Sequence, residues 1–258
     1  MTVALTRAVS PGIARCELTH LARAPIDVAR ACAQHDAYEE CLRRAGCTVV
    51  RLPADPELPD SVFVEDMAIV LDEIAIVTRP GAASRRAETA AVAEALGRLR
   101  ALVPLREPAT LDGGDVLLAG RTLYVGRTAR TNAEGAAQLR DAVAPFGYGV
   151  VVVPVEGCLN LKSAVTVAAP GVLLVQPAWV PPAGFDPALD QVHVDPSEPH
   201  AANVLLVRGT VIQPAGFPRT RGRLEARGIR TEVVDVSELA KAEGAVTCCS
   251  LLVEERQG

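Results

Sequence analysis

Cys248 stands first of two cysteines in a TCCS run, just ahead of a short apolar stretch, and several acids share that placement elsewhere in the chain. Glu65 and Asp66 open the apolar segment VEDMAIVL, Asp112 and Asp115 frame a glycine pair ahead of VLLAG, and Asn160 and Asn203 lead LKSAVTV and VLLV. A cysteine attacks carbon as its thiolate, and an ordinary thiol is mostly protonated at neutral pH. Carboxylates at the start of apolar strands are costly unless a cation pairs with them, and a planar guanidinium accepts two in fork geometry. If the fold brings them together, these acids and the cysteine would suit a cationic ligand. On the residues alone a plainer reading stays open. Free cysteines are often buried, so Cys248 and Cys249 would also serve as small core residues at a strand start. Asp115, beside two glycines, has a plainer reading as a turn former.

The elements that must position these residues repeat. Five segments begin with small or polar residues and continue as an apolar run, usually followed by a tight turn and a second run. They start at Val64, Asp112, Leu161, Ala201 and Thr247, roughly 40–50 residues apart, a period that points to a radial array of blades. The first hairpin is followed by a helical pattern capped by Ser84. Further helical patterns follow the second and fourth hairpins, and each leads to a short strand (ALVPL, GVVVVPV, TEVVDV). A helix near Asp27 to Ala45 and the strand CTVVRLP fit the same slot before the first hairpin. The fifth segment lacks its partner, and TVALTRAV near the N-terminus would supply it, closing the ring and removing exposed edges. The expected architecture is a five-bladed α/β-propeller of ββαβ units with pseudo-fivefold symmetry, residues 1–258 forming one domain. An α/β sandwich with a coincidental repeat is the alternative. In a ring the lead residues converge at the axis, and a centre lined by acids and a cysteine suits a cation.

Composition narrows the class. The 258 residues can bury a good core, 49% are hydrophobic and only 3% aromatic, so the core should be aliphatic. A net charge of −5 and pI near 5.5 argue against nucleic acid as a partner. The opening residues are too polar for a signal peptide, and no apolar run approaches the roughly 18 residues of a membrane span. Seven cysteines without framework spacing read as reduced thiols in the cytoplasm. Neither a metal nor a cofactor is expected, and monomer and homodimer are both open.

The lead segments resemble the dimethylarginine dimethylaminohydrolases of the amidinotransferase-like α/β-propeller superfamily. The matching stretches are LPDSVFVED at 58–66, TRPGAASRR at 78–86, LDGGDVL at 111–117, ARTNAEG at 129–135, LKS at 161–163, AAN at 201–203 and VTCCSL at 246–251. The resemblance implies hydrolysis of asymmetric dimethylarginine to citrulline through a thiouronium on Cys248. It gives Asp66, with Glu65, to the guanidinium and makes Asp112 the acidic partner of a catalytic histidine. It also implies that Asp60 and the carbonyl of Leu18 hold the α-amino group and that Arg85 and Arg130 hold the α-carboxylate. Ala242 and Glu243 are expected beside the site, the family often having Asp at the latter position. Residues 19–27, THLARAPID, read as a lid.

One departure matters. Where the family opens its third hairpin with His-Leu-Lys-Ser, this chain has Asn160, Leu161, Lys162 and Ser163. Asparagine hydrogen-bonds well but cannot carry a proton, and losing general acid–base help typically slows a reaction by about 10²- to 10⁴-fold. Surface or packing roles are expected for His20, His35, His193 and His200. The leading expectation is a cysteine hydrolase of methylated arginine with turnover reduced at Asn160, whether that residue is natural or introduced. The alternatives are a non-catalytic binder of arginine-like ligands and a hydrolase of arginine or hydroxyarginine.

Overall fold

The computed structural model describes residues 1–254. Among them, fifteen strands fall into five three-stranded sheets. The chain opens with β1 (Thr2–Arg7), α1 (Val28–Arg44) and β2 (Cys47–Leu52). A first hairpin, β3 (Ala68–Val70) and β4 (Ile74–Val77), leads through α2 (Thr89–Leu96) to β5 (Ala101–Pro104). The second, β6 (Val116–Ala119) and β7 (Thr122–Arg127), leads through α3 (Ala133–Val143) to β8 (Gly149–Pro154). A one-turn α4 (Leu161–Ala164) precedes β9 (Val165–Ala169), β10 (Val172–Val175) and β11 (Asp190–His193). Then come β12 (Leu205–Val207), β13 (Thr210–Pro214), α5 (Pro218–Glu225), β14 (Arg230–Val234), α6 (Ser237–Ala240) and β15 (Leu251–Glu254).

Four of the sheets share one plan, an antiparallel hairpin whose second strand pairs in parallel with a third. The parallel step requires a crossover, and α2, α3 and α5 supply it in three sheets. Between β10 and β11 the crossover carries only a 3-10 turn at Pro182–Gly184, so that blade departs from the ββαβ plan. The last sheet is assembled from both ends of the described chain. β1 pairs antiparallel with β15, Val3 opposite Val253, and parallel with β2, Val3 opposite Thr48. This is the closing strand expected from TVALTRAV, and the architecture is the five-bladed α/β-propeller. Around the centre β15 packs beside β3, β6 beside β9, and β9 beside β12.

Local rules explain most boundaries. Asp27 caps α1 by accepting the Arg30 N–H at 3.0 Å, with Arg43 and Arg44 in the last turn where the helix dipole favours cations. Asn132 caps α3 through the Gly135 N–H at 2.8 Å. Ser84 is not the cap expected for the next helix. It lies inside a 3-10 turn, Ala83–Glu88, that precedes α2, and its hydroxyl donates to Glu17 Oε1 at 2.5 Å. The buried hydrophobic residues are mostly Val, Leu, Ile and Ala. Tyr38, wholly buried, shares a 2.7 Å hydrogen bond with Ser250 just before β15. Among the described residues no helix is long and apolar enough to cross a membrane.

Candidate active site

The lead residues of the hairpins meet in one small cavity. Glu65 and Asp66 come from a 3-10 turn before β3, Gly114 from the turn before β6, Asn160, Lys162 and Ser163 from around α4, and Asn203, Thr247 and Cys248 from before β12 and β15. The glycine pair exists for closeness. A Cβ on Gly113 would lie 2.0 Å from the Glu65 carbonyl oxygen, so only glycine lets the second blade's turn reach the first.

Cys248 is partly buried, and its carbonyl accepts the Glu65 N–H at 3.1 Å. Burial, then the facing Glu65 and Asp66 carboxylates, push its thiol up to about 12. The second cysteine turns away: Cys249 is buried in the apolar core, its thiol on the Ala245 carbonyl at 3.3 Å.

Both acids of the first blade already hold cations of the chain. Lys162 Nζ donates to Glu65 Oε1 at 2.7 Å, and the Thr247 hydroxyl donates to Oε2 at 2.8 Å. Asp66 accepts Arg85 Nη1 at 2.5 Å and the Gly114 N–H at 3.0 Å. Arg85 is 5% exposed and also donates to Glu88 and to the Asp60 and Phe63 carbonyls. Burial opposes its charge, but Asp66 and Glu88 outweigh it and keep the guanidinium protonated. Burial raises Glu65 despite Lys162, and raises Asp60, which accepts the Glu17 N–H at 3.1 Å.

Two further buried acids stand behind this layer. Asp112 accepts the Gly81 N–H at 2.8 Å and lies 3.9 Å from Arg130 Nη1. Burial, and next the nearby Asp66, push it up to about 7. Asp115 accepts the Thr128 and Thr131 hydroxyls, each at 2.6 Å, and the Leu161 N–H at 3.0 Å, and burial still pushes it up to about 6. Asp115 lies close enough to Asn160 for the amide to favour its ionised form. Asn160 is 7% exposed, and its Nδ2 has no hydrogen-bond partner of ordinary geometry. Six acids (Asp60, Glu65, Asp66, Glu88, Asp112, Asp115) thus surround three cations (Arg85, Arg130, Lys162), an excess that favours a positively charged ligand.

The lid residues sit over the cavity. Leu18 packs against the apolar cluster of Cys16 and Phe63, and Arg130 Nη2 donates to the Thr19 hydroxyl at 2.9 Å. Ala242 is buried in the cavity wall. Glu243 faces the lid with its carboxylate, accepting backbone N–H groups from Thr19, His20 and Leu21 at 2.9, 2.5 and 2.6 Å. The space left beneath is about 20 Å³, room for about one water. Sequence reasoning assigned no task to Lys162, Glu88 or Thr247. Lys162 carried a usable signal, a cation two residues from a lead position; the other two are fixed only by packing.

Five α/β blades thus surround a centre that holds a thiol and surplus acid, a site suited to a cationic ligand. The family model for eukaryotic N,N dimethylarginine dimethylhydrolase matches residues 21–162. An N(G),N(G)-dimethylarginine dimethylaminohydrolase of Streptomyces coelicolor is 43% identical over 98% of this chain and 97% of its own. That of Pseudomonas aeruginosa is 38% identical over 87% and 89%. The solved structure of a cysteine-to-serine mutant of the Pseudomonas aeruginosa enzyme, complexed with citrulline, superposes with a TM-score of 0.91 at 34% identity, covering 97% of this chain and 98% of that one. The chain belongs to the dimethylarginine dimethylaminohydrolase family.

Proposed function

We propose that this chain hydrolyses asymmetric dimethylarginine to citrulline and dimethylamine, with Cys248 as nucleophile and Glu65 and Asp66 receiving the guanidinium. The observation that carries this reading is the thiol at one wall of a cavity whose acids outnumber its cations. The relatives named above and the citrulline complex support the same substrate and product.

In the free protein the acids hold Cys248 as a thiol. An incoming guanidinium offsets their field and favours the thiolate. Attack forms a C–S bond to the guanidinium carbon and breaks its bond to the dimethylated nitrogen. The proton lost by the thiol is carried away on the departing amine. Water then replaces sulfur at that carbon, giving citrulline, the free thiol and one released proton. Asn160 lines the cavity, but an amide cannot carry the proton, so turnover is slow. Asp112 is assigned as a positioning acid, and Asp60, the Leu18 carbonyl and Arg130 are assigned to the amino-acid end of the ligand, Asp60 and Arg130 lining the cavity. Arg85, saturated by Asp66 and Glu88, acts on that end only if one of these bonds is exchanged. All seven cysteines are free thiols, which supports a reducing cytoplasmic setting.

The test is citrulline formation from asymmetric dimethylarginine by the chain and by its Cys248→Ser variant. Slow citrulline release that disappears in the variant supports the reading. Tight binding with no citrulline from either protein would make the chain a binder of arginine-like ligands. Faster release from arginine or hydroxyarginine would move the substrate.

A further inference from the structure

Beside the polar cavity lies a second one of about 400 Å³, within the size range of small-molecule sites. The two share Leu159, Ser163, Asn203, Glu243, Gly244 and Cys248, so the nucleophile stands in the wall between them. Beyond that wall the chemistry changes. Leu21 comes from the lid, Trp179 from the crossover between β10 and β11, Phe217 from the start of α5, and Val236 and Ala240 from the turn of α6. Trp179 packs against His200 with ring centroids 5.1 Å apart and planes tilted by 55°. It also lies across Gly157, where a Cβ would come within 2.9 Å of the indole. Among the described residues lining this cavity Glu243 is the one acid, and its carboxylate is taken by the lid N–H groups.

A guanidinium presents N–H edges to Glu65 and Asp66, but a carbon substituent on its ω-nitrogen has nothing to offer them. Kept in the polar cavity, such a group would strip solvation from buried carboxylates without replacing it. The neighbouring space across Cys248 is apolar and about twentyfold larger. Two methyl groups fill little of it.

We propose that this apolar cavity is a subsite for ω-nitrogen substituents longer than methyl, so that the chain binds Nω-butyl-L-arginine more tightly than Nω-methyl-L-arginine. The inference rests on the reading that Cys248, Glu65 and Asp66 receive the guanidinium. Each methylene taken fully from water tightens binding about fourfold, so three gain about 60-fold at full burial and about eightfold at half.

The test uses the Cys248→Ser protein, in which turnover cannot distort a titration, with both ligands followed by calorimetry and by the emission of Trp179, the chain's single tryptophan. The expected result is about eightfold or greater preference for the butyl ligand, with a shift in Trp179 emission that the methyl ligand does not produce. Ala240→Phe and Ala215→Phe, at exposed positions of the cavity wall, should each cancel the preference while methyl-ligand affinity stays within about twofold. Methyl binding without tighter butyl binding, or a preference that survives both substitutions, overturns the subsite and leaves the guanidinium site standing. Absence of binding by either ligand overturns both.

Discussion

Glu243 Oε2 accepts the Thr19 N–H at 2.9 Å from 224 residues away, tying the lid to the segment that carries Cys248. The same carboxylate takes the next two N–H groups of the lid. To aim it there, Glu243 adopts a φ of 59°, a left-handed conformation that costs an ordinary residue about 1–2 kcal/mol. Hydrogen bonds to a charged acceptor contribute about 1.5–3 kcal/mol, less where water competes. Glu243→Ala should therefore speed amide hydrogen exchange at Thr19, His20 and Leu21 by about tenfold or more, with little change in the sheets. Unaltered exchange in the lid would remove Glu243 as its anchor.

Cys248 should behave as a reluctant nucleophile until a cation arrives. With its thiol pushed up to about 12 by burial, Glu65 and Asp66, alkylation of Cys248 by iodoacetamide should climb about tenfold per pH unit from pH 7 to 10. Peptide mass spectrometry separates this site from the other cysteines. A plateau below pH 9 would mean that the carboxylates do not govern the thiol.

Asn160→His should raise citrulline formation by about tenfold to about 10³-fold, because an imidazole can protonate the leaving amine and activate the water. A carboxylate already stands there for an imidazole to pair with: Asn160 is buried beside Asp115. A variant that folds, binds dimethylarginine and turns over no faster would show that proton transfer at this position does not limit the rate.

Much of this arrangement is legible in the order of residues. Hairpins such as Val116–Ala119 with Thr122–Arg127 declare themselves by two apolar runs around a Gly-Arg turn, and TVALTRAV can be matched to the strand lacking a partner. What resists is any contact chosen by three-dimensional proximity. The resemblance gives Arg85 to a ligand carboxylate, yet Asp66, Glu88 and two carbonyls enclose it. Ser84 has the type of a helix cap, but Glu17 competes for its hydroxyl and the helix begins later. Family likeness points to Asp112 as the partner at position 160, whereas the shorter asparagine side chain lies beside Asp115. Local propensity fixes elements, while charge pairing across blades follows from packing that no spacing encodes.

Asp112 and Asp115 should make the chain less stable as pH rises. Their folded pKa values, about 7 and about 6, stand above the ordinary carboxylate value. Between about pH 4 and 7 the folded state therefore keeps protons that the unfolded state releases, and stability falls across that window. Asp112→Asn retains an acceptor for the Gly81 N–H and removes the buried charge. It should leave Tm nearly unchanged at pH 4 and raise it by at least about 3 °C at pH 8, as expected for about 1 kcal/mol or more. An equal shift at both pH values would trace the effect to packing instead of ionisation.

β1 lies between β2 and β15, and its Thr2 hydroxyl bonds Glu254 from 252 residues away. During synthesis β1 emerges early and pairs with β2, then waits through four more blades with one edge bare. Cys248 emerges only in the last stretch, just before the strand that covers that edge. A polypeptide broken off before residue 248 therefore lacks Cys248 and also displays an unpaired strand, the kind of surface that chaperones and proteases engage. Sealing the ring and bringing Cys248 to its centre thus fall to one short segment of the chain.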